Sequence, residues 1–306
     1  MDELRFDGRV AVVTGAGRGL GRAYALLLAE RGAAVVVNDL GSSMGGTGSD
    51  GGPAAAVAAE ITAAGGRAIP SAHDVSQPED ADALVATALA EYGRVDAIVN
   101  NAGIMRWAGM PDVDDRALAA HLAVHVMGSF LTTRAAWPHL VAQGYGRVVM
   151  TTSTGMLGNP ANLAYATAKG AVVGMMRSLA TAGAAAGIAV NCIAPAAFTR
   201  MAGTGDEPAP DDPMASRMAP ELAAPMVGFL AHESCTVTGE IYTAGAGRFA
   251  RLFIGSTPGH LHTDPSGHRP TIEDVAVHWD AINDETAYTV PADLLAWSAQ
   301  FTAHQR

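Results

Sequence analysis

Arg9-Val10-Ala11-Val12-Val13-Thr14-Gly15-Ala16-Gly17-Arg18-Gly19-Leu20-Gly21 sets the architecture. The β-branched start reads as a strand, and the glycines turn it into a helix with an apolar side of Leu20, Tyr24, Leu27 and Leu28. Gly32 stops that helix, and Ala34-Val35-Val36-Val37 forms a second strand. The result is a βαβ unit, whose glycines let the backbone approach a pyrophosphate at the helix N-terminus. Such a pattern alone says little in a chain with 35 glycines. Placed between strand and helix, with Asp39 closing the next strand, it is specific.

Asp39 is placed to accept both hydroxyls of an adenosine ribose and to repel a 2′-phosphate, which selects NAD over NADP. Arg18 is the counter-signal, because a cation at that turn could meet the 2′-phosphate. The alternative for Asp39 is a helix cap or a solvated acid. Residues 41–53 form a glycine-dense loop expected to skirt the adenine end of the cofactor. Helix 54–64, strand 67–72, helix 78–92 and strand 95–99 follow. Asp74 suits either a turn or a hydrogen bond to the adenine amino group, with Val75 beside it. Asn100-Asn101-Ala102-Gly103 ends the fourth strand in a sharp turn, where small residues let a nicotinamide ribose lie close.

Composition narrows the class. Nearly half of the 306 residues are hydrophobic and only 16% are charged, as in a packed α/β enzyme. A formal charge of -11 argues against a nucleic-acid surface. The sequence has no secretion-type leader and no membrane-length apolar run, and Cys192 and Cys235 read as buried thiols. These features predict a cytoplasmic protein with no membrane partner. His260, His262 and His268 fit no zinc spacing, and no metal is expected.

Tyr165-Ala166-Thr167-Ala168-Lys169 places a phenol and an ammonium one helical turn apart on one face. A phenol ordinarily titrates near ~10. A fixed neighbouring cation favours phenolate and makes tyrosine a usable acid/base. Alone, the pair is better explained by a half-buried Tyr and a solvated Lys. Its position relative to the other motifs gives it weight.

Thr14-Gly-x-x-x-Gly-x-Gly21, Asp74, Asn100-Asn-Ala-Gly103, Tyr165-x-x-x-Lys169 and Asn191-x-x-Ala-Pro195 stand in the order of the short-chain dehydrogenase/reductases. The resemblance covers residues 6–245. More narrowly, Asn38-Asp39-Leu40-Gly41, His125-x-x-Gly128-Ser129-Phe130, Thr133-Arg-Ala-Ala-Trp137 and His232-Glu-Ser-Cys235 resemble one subgroup. It comprises the (3R)-hydroxyacyl-CoA dehydrogenase domains of type 2 peroxisomal multifunctional enzymes and their bacterial relatives. That subgroup also continues through a segment similar to Gly245-Ala246-Gly247 into a helical tail.

The resemblance implies an α/β fold, a Rossmann-type parallel sheet flanked by helices, with a C-terminal helical extension. It implies a homodimer or homotetramer joined through helices 116–142 and 162–186. It makes Tyr165 the acid/base, Lys169 the residue that lowers its pKa and holds the nicotinamide ribose, and a serine the anchor of the substrate oxygen. Cofactor contacts are expected from Gly15, Gly17, Arg18, Gly19, Leu20, Gly21, Asp39, Asp74, Val75, Asn101, Ala102, Gly103, Tyr165, Lys169, Pro195, Ala196 and Thr199.

Counting back from the tyrosine places the serine at Thr152; counting along strand 146–150 places it at Ser153. A one-residue slip would reverse every side chain of the strand, whereas a loop absorbs a deletion, so Ser153 is preferred. His125 stands where many relatives have an asparagine that holds a proton-relay water through a bulge in a helix. It is either such an anchor or a packed core histidine.

Strand 188–193 precedes Pro195, and many relatives have glycine where this chain has Ala196. Residues 201–220, with Met201, Met214 and Met218, read as a lid over substrate. Helix 221–232 and strand 240–244 complete residues 1–247 as the NAD-binding domain. Residues 248–306 form an extension with a capping box at Thr271 and Asp274 and a second helix from about Pro291. Its apolar faces are expected to pack on the core or on a neighbouring subunit. The expected activity is NAD-dependent interconversion of a secondary alcohol and a ketone, with a 3-hydroxyacyl-CoA as substrate. A hydroxysteroid or other bulky secondary alcohol is the alternative, and a non-catalytic NAD-binding module the alternative of another class.

Overall fold

The computed structural model describes residues 3–202, 209, 212–263 and 267–305. Its centre is an eight-stranded sheet in the order β3-β2-β1-β4-β5-β6-β7-β8. The strands are β1 (Val10–Thr14), β2 (Ala34–Asn38), β3 (Arg67–Ser71), β4 (Ala97–Asn100), β5 (Gly146–Thr151), β6 (Ile188–Pro195), β7 (Ile241–Gly245) and β8 (Arg248–Leu252). The pairings from β3 through β7 are parallel. Every residue of β1, β2, β4 and β5 is buried. That is why they read as runs of Val, Ile and Ala: with helices on both faces, neither side of the sheet meets water. Of the edge strands, β8 is largely exposed and β3 is partly covered.

Helices α1 (Gly19–Glu30), α2 (Gly52–Ala63) and α3 (Pro78–Tyr92) supply the crossovers of the first half. Tyr24, Ala25 and Leu28 of α1 pack with Val13, Val35 and Val37 in the apolar core. The order of strands reverses at β1, whose neighbours are β2 and β4, and ligands of open α/β sheets bind at such a crevice.

The long helix expected over residues 116–142 is interrupted. It runs as α4 (Asp115–His121), a π-helical segment (Leu122–Met127) and α5 (Gly128–Gln143). The Gly128 amide donates to the Ala123 carbonyl five residues back, so one extra residue is looped out around His125. Packing holds this register. A Cβ on Gly128 would lie 2.8 Å from Val75 Cγ2, and the Ser129 hydroxyl donates to the His125 carbonyl at 2.7 Å. Helix α6 (Leu163–Gly183) then carries Tyr165 and Lys169. Short α7 (Pro213–Arg217) lies within the expected lid, of which 203–208, 210 and 211 fall outside the described residues. The helix expected over 221–232 is a 3-10 turn (Pro220–Leu222) followed by α8 (Ala224–Ala231).

Two compact units result, Met1–Arg251 and Leu252–Arg306. A division at Gly247 would cut a hairpin. Ala246 and Gly247, at φ 50° and 75°, form the two-residue turn from β7 to β8. So short a connection can join only antiparallel strands. The second unit holds α9 (Ile272–Val277), α10 (Trp279–Ile282) and α11 (Leu294–Phe301). Both halves of the Thr271/Asp274 capping box form. The last helix starts later than Pro291 because the Asp293 carboxylate caps it, accepting from the Ala296 amide at 2.8 Å. Ile272, Val275 and Trp279 on the apolar face of α9 and α10 are exposed in the single chain.

Candidate active site

A cleft of about 300 Å³ runs along the C-terminal ends of the strands. It is lined by Gly15, Arg18, Gly19, Leu20, Gly21, Asp39, Asp74, Val75, Asn101, Ala102, Gly103 and Thr199 among the expected cofactor residues. The glycine turn is fixed by β4. Asn101 Nδ2 donates to the carbonyls of Thr14 and Gly15, both at 3.0 Å, and Thr14 Oγ1 accepts from the amides of Asn101 and Ala102. The backbones are in contact here, since a Cβ on Gly15 would lie 2.7 Å from Ala102 Cα. No side chain caps α1, whose first amides are therefore available to an anion.

Gly17 does not line the cleft. Its amide donates to Asp39 Oδ2 at 2.8 Å, and the Gly41 amide donates to Oδ1 at 2.7 Å. Gly17 thus orients the acid rather than touching the ligand space. Asp74 Oδ1 is taken by the amide and hydroxyl of Ser76. Pro195 and Ala196 also lie outside the lining, at the end of β6. There Gly245 makes room for Ala196, because a Cβ on it would lie 2.9 Å from that of Ala196. The close backbones, uncapped helix and ribose-side acid fit a dinucleotide. Among the described residues no cluster of three or more His, Cys, Asp or Glu is placed to hold a metal.

Beside this cleft, Ser153, Tyr165, Lys169 and His125 come together. Ser153 Oγ and the Tyr165 ring both face Gly155, where a Cβ would lie 3.2 Å from Ser153 Oγ and 3.3 Å from Tyr165 Cε1, and Ser153 Oγ accepts from the Gly155 amide at 3.0 Å. Thr152 is fully buried, and its hydroxyl donates to the Lys169 carbonyl at 2.7 Å. Lys169 is buried, with Nζ donating to the Thr151 carbonyl at 2.7 Å and lying 5.6 Å from the Tyr165 ring centroid. The remaining N–H capacity of that nitrogen is free to hold hydroxyls.

The electrostatics depart from one expectation. Burial raises the Tyr165 pKa above its ordinary value, and Ser153 beside the phenol only partly opposes this. Burial also pushes Lys169 down, to about 7. Both groups resist charging because both are withdrawn from water, and the ammonium points at a carbonyl rather than at the phenol.

His125 is fully buried within the π-helical segment, its ring edge-to-face with Tyr165 at 5.4 Å. Its Nε2 lies 2.9 Å from the Ile104 carbonyl and 3.2 Å from the Ile104 amide, while Nδ1 has no partner. The Ile104 backbone therefore offers Nε2 an acceptor when that nitrogen carries the proton and a donor when it does not. Burial holds the His125 pKa well below the ordinary imidazole value, with the Lys169 charge adding to the effect. Gly103 exists for this ring: a Cβ there would lie 3.1 Å from His125 Nδ1.

Sequence reading missed His121, which is buried and stacked on His125 at 5.7 Å and 11°. The spacing of four between the two histidines on a helix was the available signal. It also missed Arg106, which lines the cleft.

Comparison with known proteins agrees with this geometry. The short chain dehydrogenase family profile matches residues 9–208. The chain is 43% identical over 282 residues to mouse (Mus musculus) peroxisomal multifunctional enzyme type 2, covering 92% of this chain and 37% of that protein. It is 42% identical over 277 residues to a putative short-chain type dehydrogenase/reductase of Mycobacterium tuberculosis, covering 90% and 94% respectively. The solved full-length peroxisomal multifunctional enzyme type 2 from Drosophila melanogaster superposes with a TM-score of 0.81 at 32% identity, covering 98% of this chain and 50% of that one. The chain thus spans between a third and a half of the multifunctional relatives. With the family profile matched over most of the sheet, this chain belongs to the short-chain dehydrogenases, oxidoreductases that work with a nicotinamide cofactor.

Proposed function

We propose that this chain is an NAD-dependent oxidoreductase interconverting a secondary alcohol and a ketone, with a 3-hydroxyacyl-CoA as substrate. The observation that carries the chemistry is the gathering of Ser153, the Tyr165 phenol and the buried amine of Lys169 beside the cleft. Sequence similarity to multifunctional enzymes supports the acyl-CoA class.

In the oxidative direction the substrate hydroxyl lies between Ser153 Oγ and Tyr165 Oη. Ser153 donates to or accepts from the reacting oxygen and fixes it; Tyr165 Oη takes its proton as the C–O bond becomes a carbonyl. A nicotinamide bound in the cleft would supply the hydride acceptor, and its positive charge would favour phenolate. Lys169 would hold its ribose hydroxyls through the N–H groups not used on the Thr151 carbonyl. The partnerless Nδ1 of His125 can anchor a water that carries the proton onward. The bonds from Gly17 and Gly41 to Asp39 hold its carboxylate where a ribose would meet it, which supports NAD as the cofactor.

The proposed assembly is a homodimer or homotetramer with no nucleic-acid or membrane partner. Buried free thiols at Cys192 and Cys235 are consistent with a reducing compartment such as the cytoplasm. The test is NADH formation from a panel of 3-hydroxyacyl-CoAs and hydroxysteroids, run with NAD and with NADP. Turnover of (3R)-hydroxyacyl-CoA with NAD is expected. A preference for steroids would overturn the substrate, and a preference for NADP would overturn the Asp39 argument.

A further inference from the structure

The loop between β2 and α2 is closed on itself. At its neck the Asp50 amide donates to the Leu40 carbonyl at 2.8 Å. At its tip the Ser43 amide donates to the Thr47 carbonyl at 2.9 Å, and their hydroxyls bond at 2.7 Å. The tip then crosses to the segment after β4. The Met105 amide donates to the Met44 carbonyl at 2.9 Å, and Arg106 Nε donates to the Gly45 carbonyl at 2.8 Å. Because β2 and β4 flank β1, the loop joins the two sides of the cleft built on the β1 glycine turn. Ser42, Gly46 and Arg106 line that cleft.

His121 holds the Arg106 end. Its Nδ1 lies 2.7 Å from the Ala117 carbonyl, which can only accept, so Nδ1 carries the proton. In the neutral ring Nε2 is then an acceptor, and the Arg106 amide donates to it at 3.3 Å. Burial lowers the His121 pKa and favours that neutral ring. His125, stacked against it, meets Ile104 two residues earlier. Both His121 nitrogens are spent on backbone, so this ring has no proton to exchange with substrate.

We propose that His121 is a positioning residue: by fixing the Arg106 backbone it latches loop 41–50 across the cofactor cleft and sets how long a bound dinucleotide stays. This rests on the nicotinamide part of the proposed function and is independent of the substrate. The experiment is stopped-flow displacement of NADH from wild type, His121→Leu, His121→Gln, Arg106→Met and the His121→Leu/Arg106→Met double variant. Amide hydrogen exchange of residues 41–50 and 104–106, without cofactor, is measured alongside.

Loss of one latch bond should speed NADH release ~10-fold in His121→Leu and in Arg106→Met. Glutamine can offer Oε1 to the same amide, so His121→Gln should stay within about threefold of wild type. The double variant should release no faster than the faster single one, because both act on one latch. Exchange should quicken in both segments in His121→Leu, and its cofactor KM should rise. Unchanged release in both single variants, additive effects in the double one, or a kcat loss in His121→Leu without faster release would overturn the proposal. Arg106→Met carries the test if His121→Leu does not fold. Failure of wild type to bind NADH would instead refute the cofactor reading.

Discussion

Ser153 and Thr152 are neighbours with opposite employment. The Thr152 hydroxyl is spent on the Lys169 carbonyl, while Ser153 meets the Tyr165 phenol. Ser153→Ala should therefore cost turnover ~10²-fold or more with NAD affinity nearly kept, and Thr152→Ala far less. Steady-state kinetics of both variants decide it, and the reverse ranking would move the role to Thr152. Lys169 allows a second prediction. Its pKa falls from 10.5 to about 7 on folding, so between these values the unfolded chain holds a proton that the native one has lost. The stability cost of this lysine is full below pH 7 and fades as pH rises towards 10.5. Lys169→Met should thus be more stable than wild type near pH 7, by on the order of a few kcal/mol less ~1 for the lost bond to Thr151. The gap should shrink in denaturant melts repeated towards pH 10; a gap that widens with pH would contradict a neutralised lysine. The sequence spacing brought Tyr165 and Lys169 to one helix face, but it carried no information on the carbonyl that turns Nζ away from the phenol. That contact comes from β5, on a separate element 18 residues earlier.

The β7–β8 hairpin carries strain that a single substitution can relieve. Ala246 sits at φ 50°, where a Cβ is disfavoured, and Gly247 follows at 75°. Ala246→Gly should stabilise the fold by about 0.5–1 kcal/mol, read as a rise in Tm. A fall in Tm would mean that the alanine methyl is held by packing worth more than the strain. Elements with strong local signals were legible in the sequence: β1, β2 and α3 follow from β-branched runs, glycine stops and the Pro78 start. The π-helical segment was legible only through the family resemblance, which implies a helix bulge at His125, and not from local pattern. Residues 116–142 have ordinary helical periodicity, and their break depends on Gly128 meeting Val75 and on His125 meeting Ile104. Those contacts exist only once the sheet has formed. Likewise the latch on loop 41–50 joins residues some sixty positions apart, visible in sequence only as a long glycine-dense connection.

Across the assembled chain, Met127, Phe130 and Val141 leave an apolar strip exposed on the π-helical segment and α5, with Arg134 over the Phe130 ring at 5.9 Å. The proposed homo-oligomer would cover it. Light scattering should report a dimer or tetramer, and Phe130→Glu should shift it to a smaller species; a monomeric wild type would contradict the assembly. No helix among the described residues is long and apolar enough to cross a membrane. The parallel sheet and the cleft at its strand reversal were legible because every motif of the βαβ unit kept its order; the exposed stripe of the extension was not, since periodicity marks a face without saying what covers it. What joins fold to function is the meeting of the cleft with the Ser153, Tyr165 and Lys169 group. Single-turnover NADH formation across pH, in wild type and Tyr165→Phe with an accepted alcohol, tests that most directly. The account predicts a wild-type rate that rises with pH as the phenol ionises, and a loss of ~10²–10⁴-fold or more in Tyr165→Phe with NAD still bound. A Tyr165→Phe variant that keeps most of the wild-type rate would contradict it.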